Sequence, residues 1–222
     1  MSTDHIPNFQ SIDPAQWPRQ PYFEHYFNIV RCSYSVTANI DISHLLECCK
    51  AADMKFYPAM IHCITTAVNR LPEMRTCFDK NGTLGIWDFM SPCYAVFHRK
   101  GKTFSNLWTA YCSDFHIFHN QYLADAANYG DDNAFFPKPD MPENIFTISS
   151  LPWVDFTGFN INTFNDGRYL QPIFTLGQYV SEKGRTLIPL AVQAHHAVCD
   201  GYHVGQLFEH VRTLASEWMR TT

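Results

Sequence analysis

The chain has 222 residues and a formal net charge of −5 at pH 7. That balance argues against a nucleic-acid partner held on a basic face, and no run of 18 apolar residues offers a membrane span. The length fits one large domain able to bury a core without disulfides; the aromatic content of 15 %, with 18 Phe and 11 Tyr, suits an aromatic-lined pocket, a large interface or an ordinary core.

Residues 1–21 read as an extended or short-helix lead-in, without the cationic start and apolar core of a signal peptide. Arg19 stands alone there among neutral residues. An aromatic cluster follows at Tyr22, Phe23, Tyr26 and Phe27. Tyr34, Val36, Ala38 and Ile40 alternate with polar residues, the pattern of a half-buried strand. Asp41 is a good N-cap for a helix whose apolar positions Ile42, Leu45, Leu46 and Cys49 fall at i, i+3, i+4 and i+7. Lys55 comes next. Pro58 opens a second helix that is apolar around most of its girth.

Asn81-Gly82 predicts a hairpin turn. Strands are expected at 94–98 and 104–108, separated by the basic turn 99–102. A helix starting near Ser113 carries Phe115, Phe118, Tyr122 and Leu123 on one face. Residues 130–144 form a long loop around Phe135-Phe136. A strand covers 145–151, another is expected through the alternating Phe159, Ile161 and Thr163, and 173–181 with 185–194 reads as a hairpin. The last segment places Val204, Leu207, Phe208, Val211, Leu214, Ala215 and Trp218 on one helical face. With no repeat, linker or low-complexity tract, residues 1–222 read as one domain. The expected architecture is α/β in the broad sense (an α+β two-layer sandwich), a mixed or antiparallel sheet with helices mainly against one face. Eight scattered cysteines read as free thiols in a reducing cytoplasm.

The most informative stretch is 186–205. An apolar strand with one internal proline ends at His195-His196, followed by Ala197-Val198-Cys199-Asp200-Gly201 and a helical pattern. Three chemistries compete for His195, His196, Cys199, Asp200 and His203. A metal site has suitable ligand types but poor spacing, because adjacent histidines diverge on a strand and no second pair lies nearby. A cysteine nucleophile would need a lowered thiol pKa, and the neighbouring Asp200 would raise it. A histidine general base needs only His196, with Asp200 four residues on as partner or as anchor of the turn. The plain alternative is a core histidine followed by an N-cap aspartate.

The string HHAVCDGYH resembles the signature of the chloramphenicol acetyltransferases, within the wider acyl-CoA-dependent acyltransferases that carry HxxxDG. Trp17-Pro18-Arg19, Lys55-Phe56-Tyr57-Pro58, Ile148-Ser149-Ser150-Leu151-Pro152-Trp153, Phe159-Asn160 and Pro172-Ile173-Phe174-Thr175 stand in the family's order and spacing, so the resemblance covers nearly the whole chain. It implies acetyl transfer from acetyl-CoA to a hydroxyl of chloramphenicol, with no metal and no permanently bound cofactor. It implies His196 as general base and His195 as its non-catalytic neighbour. Asp200 is implied to pair with Arg19 as a structural support, Ser149 to donate to the oxyanion, and Thr175 to hold a water. The implied acceptor pocket holds His25, Tyr26, Cys32, Phe104, Phe136, Phe159, Ile161 and Thr163; Lys55, Tyr57 and Tyr179 are implied to line the coenzyme A channel. Family members are trimers with active sites between subunits.

The chain departs from the family pattern at several positions. His25 replaces an aromatic, Thr163 a branched apolar residue, and Gln178 a lysine found in some members near the coenzyme A phosphates; residues 164–168 also differ. His25 and Thr163 make the expected pocket more polar and leave another small alcohol as the alternative acceptor.

Overall fold

Residues 6–163 and 167–219 are described in a computed structural model of the chain. In chain order the elements are β1 (Phe9–Ser11), α1 (Gln20–Phe23), β2 (Ser33–Asp41), α2 (Ser43–Ala51), α3 (Phe56–Asn69), β3 (Thr76–Phe78), β4 (Leu84–Trp87), β5 (Ser91–His98) and β6 (Thr103–Trp108). They continue with α4 (Phe115–Tyr129), β7 (Ile145–Ser150), β8 (Ile173–Leu176), β9 (Val180–Glu182), β10 (Arg185–His195) and α5 (Gly201–Ser216). The main sheet runs β2-β10-β8-β7-β5-β6, with β9 alongside β10; β1, β4 and β3 form a small second sheet. The main sheet is mixed, as expected. β10 is antiparallel to β2, β8 and β9, whereas β7 is parallel to both β5 and β8. Among the described residues no helix is long and apolar enough to cross a membrane.

Strand alternation divides the chemistry between the sheet's two faces. Ile188, Leu190, Val192 and Ala194 of β10, Phe174 and Leu176 of β8, and Phe146 and Ile148 of β7 enter one continuous core with the helices. That core includes most of α3, buried from Pro58 to Thr65, and the inner stripe of α5. The intervening residues Ser149, Thr175, Ala191 and Gln193 therefore occupy the face away from the helices. Pro189 sits in β10 where the neighbouring strand is interrupted between β8 and β9, so its missing N–H costs no ladder bond on that side.

Two expectations are corrected. Residues 157–163 form no strand: Phe159 N–H donates to Thr37 Oγ1 (3.3 Å) and Ile161 N–H to Gln193 Oε1 (3.0 Å). The alternation of Phe159, Ile161 and Thr163 reflects a loop lying across the polar face, pinned by side chains rather than by a ladder. The N-cap of α2 is Ile42, not Asp41; Asp41 Oδ1 still takes the Ser43 N–H at 3.0 Å, so it satisfies an early donor from one position further out. The lead-in contributes β1, paired with β4 through Phe9↔Trp87, and carries α1 into a segment of wider, π-type turns over Glu24–Ile29. The expected departure at 164–168 lies partly outside the described residues.

Gly177, in the break between β8 and β9, is closely hemmed in. A Cβ there would stand 2.5 Å from Pro189 Cγ and 2.8 Å from the Val154 carbonyl oxygen. Backbone cannot yield as a flexible side chain does, so Gly177→Ala is expected to lower stability by roughly 1–3 kcal/mol. Urea unfolding of the two proteins checks this.

Candidate active site

The turn between β10 and α5 is built around one guanidinium. Arg19 Nη1 and Nη2 reach Asp200 Oδ2 and Oδ1 at 2.7 and 2.6 Å. Its Nη2 also donates to the His196 carbonyl and its Nε to the Ala197 carbonyl, both at 2.9 Å. A planar fork thus bonds the carboxylate and the backbone of the turn together, a geometry lysine could not reproduce. The hydrogen bonds from Arg19 hold the Asp200 carboxyl below the usual carboxylate range, so it stays ionised at neutral pH. Asp200 caps α5, and its own N–H donates to His203 Nδ1 at 2.9 Å.

His196 emerges from this turn. Its N–H is anchored on the Cys32 carbonyl at 2.9 Å. Its ring stacks on Tyr26 with centroids 3.8 Å apart and planes 5° from parallel. The π-type turns that carry Tyr26 are absent from any simple helical reading, and widened turns of this kind occur often at functional sites. His196 Nδ1 lies 3.2 Å from Asp200 Oδ1, but the two are not aligned as a hydrogen bond, and that oxygen already receives Arg19. His25 stands edge-on to Tyr26 at 4.9 Å and is exposed.

The other candidates of the motif are inert by environment. Cys199 is buried, and burial pushes its thiol up to about 12, far from the thiolate a nucleophile needs. His195 is also buried; burial and the neighbouring His196 pull its imidazole down to about 4. Its Nδ1 accepts the Ala197 N–H at 3.1 Å, so it serves as a neutral acceptor within the turn.

Ser149 and Thr175 face each other across the parallel pair β7–β8, with hydroxyl oxygens 2.8 Å apart. In the same chain they are distant from His196. Ser149 is level with Thr175 and Ala191, two strands over and four residues short of His195, which is about 16 Å by strand geometry. The expected acceptor residues are divided in the same way. His25, Tyr26 and Cys32 lie at the His196 end beside β2, whereas Phe104 is on β6 at the opposite sheet edge, about 24 Å away across five strand spacings. Phe136 sits on the loop next to Phe135, whose ring meets Phe104 at 5.7 Å. Phe159 and Ile161 lie over the polar face near Thr175 and Gln193, followed by the half-buried Thr163.

A separate cleft of about 750 Å³ is lined by Tyr57, Phe97, Phe104, Trp153, Gln178 and Tyr179. Ser150 and Leu176, one residue beyond Ser149 and Thr175, also border it. It brings Tyr57 and Tyr179 together; Lys55 is exposed at the N-cap of α3, one residue from the lining Phe56. Phe104 turns out to line this cleft. Sequence reasoning missed Tyr34, whose hydroxyl donates to the Cys199 carbonyl at 3.1 Å and whose ring lies 5.2 Å from His196. It also missed Gln193, although a lone amide in the apolar run LIPLAVQAH was a readable signal.

The fold is that of solved acetyltransferases. It superposes on a chloramphenicol acetyltransferase structure with a TM-score of 0.86, over 94 % of this chain and 100 % of that one at 20 % identity. The family model for chloramphenicol acetyltransferase matches residues 7–212. A chloramphenicol acetyltransferase of Clostridium perfringens is 52 % identical over 210 residues, covering 95 % of this chain and 96 % of its own. One of Clostridium butyricum is 49 % identical over 215 residues, with 96 % and 98 % covered. The chain belongs to the chloramphenicol acetyltransferase family.

Two predictions follow from the turn. Removing the guanidinium leaves a partly buried carboxylate and two carbonyls unpaired, so Arg19→Ala should cost roughly 2–4 kcal/mol, read from denaturant midpoints. His195 resists protonation until about pH 4 in the native state, whereas in the unfolded chain it takes up a proton near pH 6.5. Its stabilising contribution is therefore complete above the unfolded value and is lost as pH falls toward the native one. His195→Asn retains an acceptor for the Ala197 N–H and should lessen the stability lost between pH 7 and pH 5 by about 2 kcal/mol. Urea titrations at the two pH values measure the difference.

Proposed function

We propose that this chain is a chloramphenicol O-acetyltransferase that uses acetyl-CoA in one direct transfer within a ternary complex. His196 takes the proton of the acceptor hydroxyl as its oxygen attacks the thioester carbonyl. The C–O bond forms, the carbonyl oxygen becomes an oxyanion, and the Ser149 hydroxyl reorients to donate to it. Thr175 holds a water beside that intermediate. Collapse breaks the C–S bond, and His196 returns the proton to the departing coenzyme A thiolate. Asp200 and Arg19 keep the imidazole in place, and no charge relay is needed.

The observation that carries this reading is the Arg19 fork, which bonds Asp200 and the carbonyls of His196 and Ala197 in one plane. Such a fixed turn is what a base needs to hold near-attack geometry. The acceptor assignment draws on the family's name and on the aromatic residues at the pocket positions. The 750 Å³ cleft fits the extended pantetheine arm of acetyl-CoA between Tyr57, Trp153 and Tyr179. The roughly 16 Å between Ser149 and His195, and the split of the acceptor residues between opposite sheet edges, support a homotrimer in which one subunit supplies His196 and the next supplies Ser149 and much of the pocket. Eight free cysteines support a reducing, cytoplasmic setting. In such a setting the activity would confer resistance to the antibiotic.

Thiol release from acetyl-CoA, followed with and without chloramphenicol, tests the proposal. Release should require chloramphenicol; release driven instead by other small alcohols would overturn the acceptor. His196→Ala should abolish turnover and Ser149→Ala should lower kcat by about 10²–10³-fold. Cys199→Ala should keep kcat within about twofold, because a thiol this buried and protonated takes no part in the chemistry. Light scattering of the purified protein should give the mass of three chains.

A further inference from the structure

Residues 130–144 pass between α4 and β7 with no helix or strand, yet carry Phe135 and Phe136. A stretch of that length loses much conformational freedom on ordering and needs specific ties. The central tie is Lys138. Its ammonium is largely buried, donating to Asp125 Oδ1 of α4 at 2.7 Å and to the Trp108 carbonyl of β6 at 3.1 Å. It also sits 3.7 Å from the centroid of the Trp108 ring, a cation–π contact. Lysine is rarely buried unless it is paired, and here the pairing extends inward. Thr109 Oγ1 donates to Asp125 Oδ2 at 2.7 Å, so the Tyr94 hydroxyl, 2.9 Å away, donates to Thr109. The tie therefore ends in the core of β5.

The strand that receives Lys138 also receives the aromatic pair. Asn106 N–H of β6 donates to the Phe135 carbonyl at 2.8 Å, and Phe104 of β6 meets the Phe135 ring. Phe135 in turn packs edge-on to Phe136 with centroids 4.6 Å apart. Three residues beyond Phe135, Lys138 closes the loop onto the same strand, so the aromatic pair is held from both sides.

We propose that Lys138 is a positioning residue for acceptor specificity: it fixes Phe136 in the acceptor pocket by clamping the loop onto Asp125 and Trp108, and touches neither substrate itself. This rests on the reading above that Phe136 contacts the acceptor. The lost ordering should appear in the binding of chloramphenicol more than in that of acetyl-CoA, whose proposed cleft shares Phe104 of β6 but takes no lining residue from 130–144.

The test compares Lys138→Met combined with Asp125→Asn, Lys138→Gln alone, and Phe136→Ala. In the double variant no buried carboxylate is left unpaired, and the amide still accepts from Thr109. The Michaelis constant for chloramphenicol should rise about tenfold in the double variant and in Phe136→Ala. The constant for acetyl-CoA and kcat at saturation should stay within about twofold, and protease cleavage within 130–144 should accelerate in the double variant. Lys138→Gln, which keeps one donor, should fall between, and carries the same comparison if the double variant does not fold. An unchanged chloramphenicol constant in the lysine variants beside a raised one in Phe136→Ala overturns the role of Lys138 while leaving the pocket standing. No effect in Phe136→Ala removes Phe136 from the pocket and the inference with it. A parallel rise in both constants with a fall in kcat would be general destabilisation and also overturns the proposal.

Discussion

One guanidinium organises the end of β10. Arg19 comes from the lead-in and its partners from a segment about 180 residues further along, at sequence separations of 177 to 181. Its fork closes the turn on which His196 stands, joining the carboxylate at the N-terminus of α5 to the carbonyls of His196 and Ala197 just beyond β10. A carboxylate there is favourable to the helix on its own account, since it faces the positive end of the dipole. Without Arg19, however, it would be a partly buried charge beside two carbonyls. The pair therefore converts a repulsive set of acceptors into a rigid frame.

The division of the sheet between its two faces explains why the proposed catalytic groups fall where they do. One face is given over to the helices and holds the apolar residues of β7, β8 and β10. The residues between them must point the other way, which is why Ser149 and Thr175, adjacent in register, can present two hydroxyls to one spot without disturbing the core. The loop 157–163 lies over this polar face, fastened by Thr37 and Gln193 side chains rather than by a ladder. Lys138 does for the opposite sheet edge what Arg19 does for the strand end: a buried cation ties an irregular segment to regular structure.

Much of this was legible in the residues. The strand ending at His195-His196, the buried helix after Pro58, the Asn81-Gly82 turn and the inner stripe of α5 all follow from periodicity and turn chemistry, which are local properties. The motif HHAVCDGYH and the scattered matches around it pointed to the family that the comparisons show. Other features were misread for identifiable reasons. The alternation at Phe159, Ile161 and Thr163 looks like a strand because a loop draped over a sheet also alternates between inward and outward residues. The N-cap of α2 moved by one residue because Asp41 reaches the Ser43 N–H from outside the helix. The π-type turns at Glu24–Ile29 have no distinctive composition.

Sequence alone determined the class of fold, the family, and the stretch in which the chemistry lies, because strand and helix periods and a dense local motif are written in neighbouring residues. It also marked Arg19 as unusual, a single cation among neutral residues. Only the tertiary structure decided the surroundings of each member of the motif. Burial made Cys199 a protonated thiol and His195 a neutral acceptor, and Tyr26 stacks on His196, the half-buried ring of the pair. The physical reason is that a side chain's charge state and reach depend on what surrounds it in space, and those surroundings come from residues far away along the chain. The same dependence separates Ser149 from His196 within one chain, a distance that no motif could have announced.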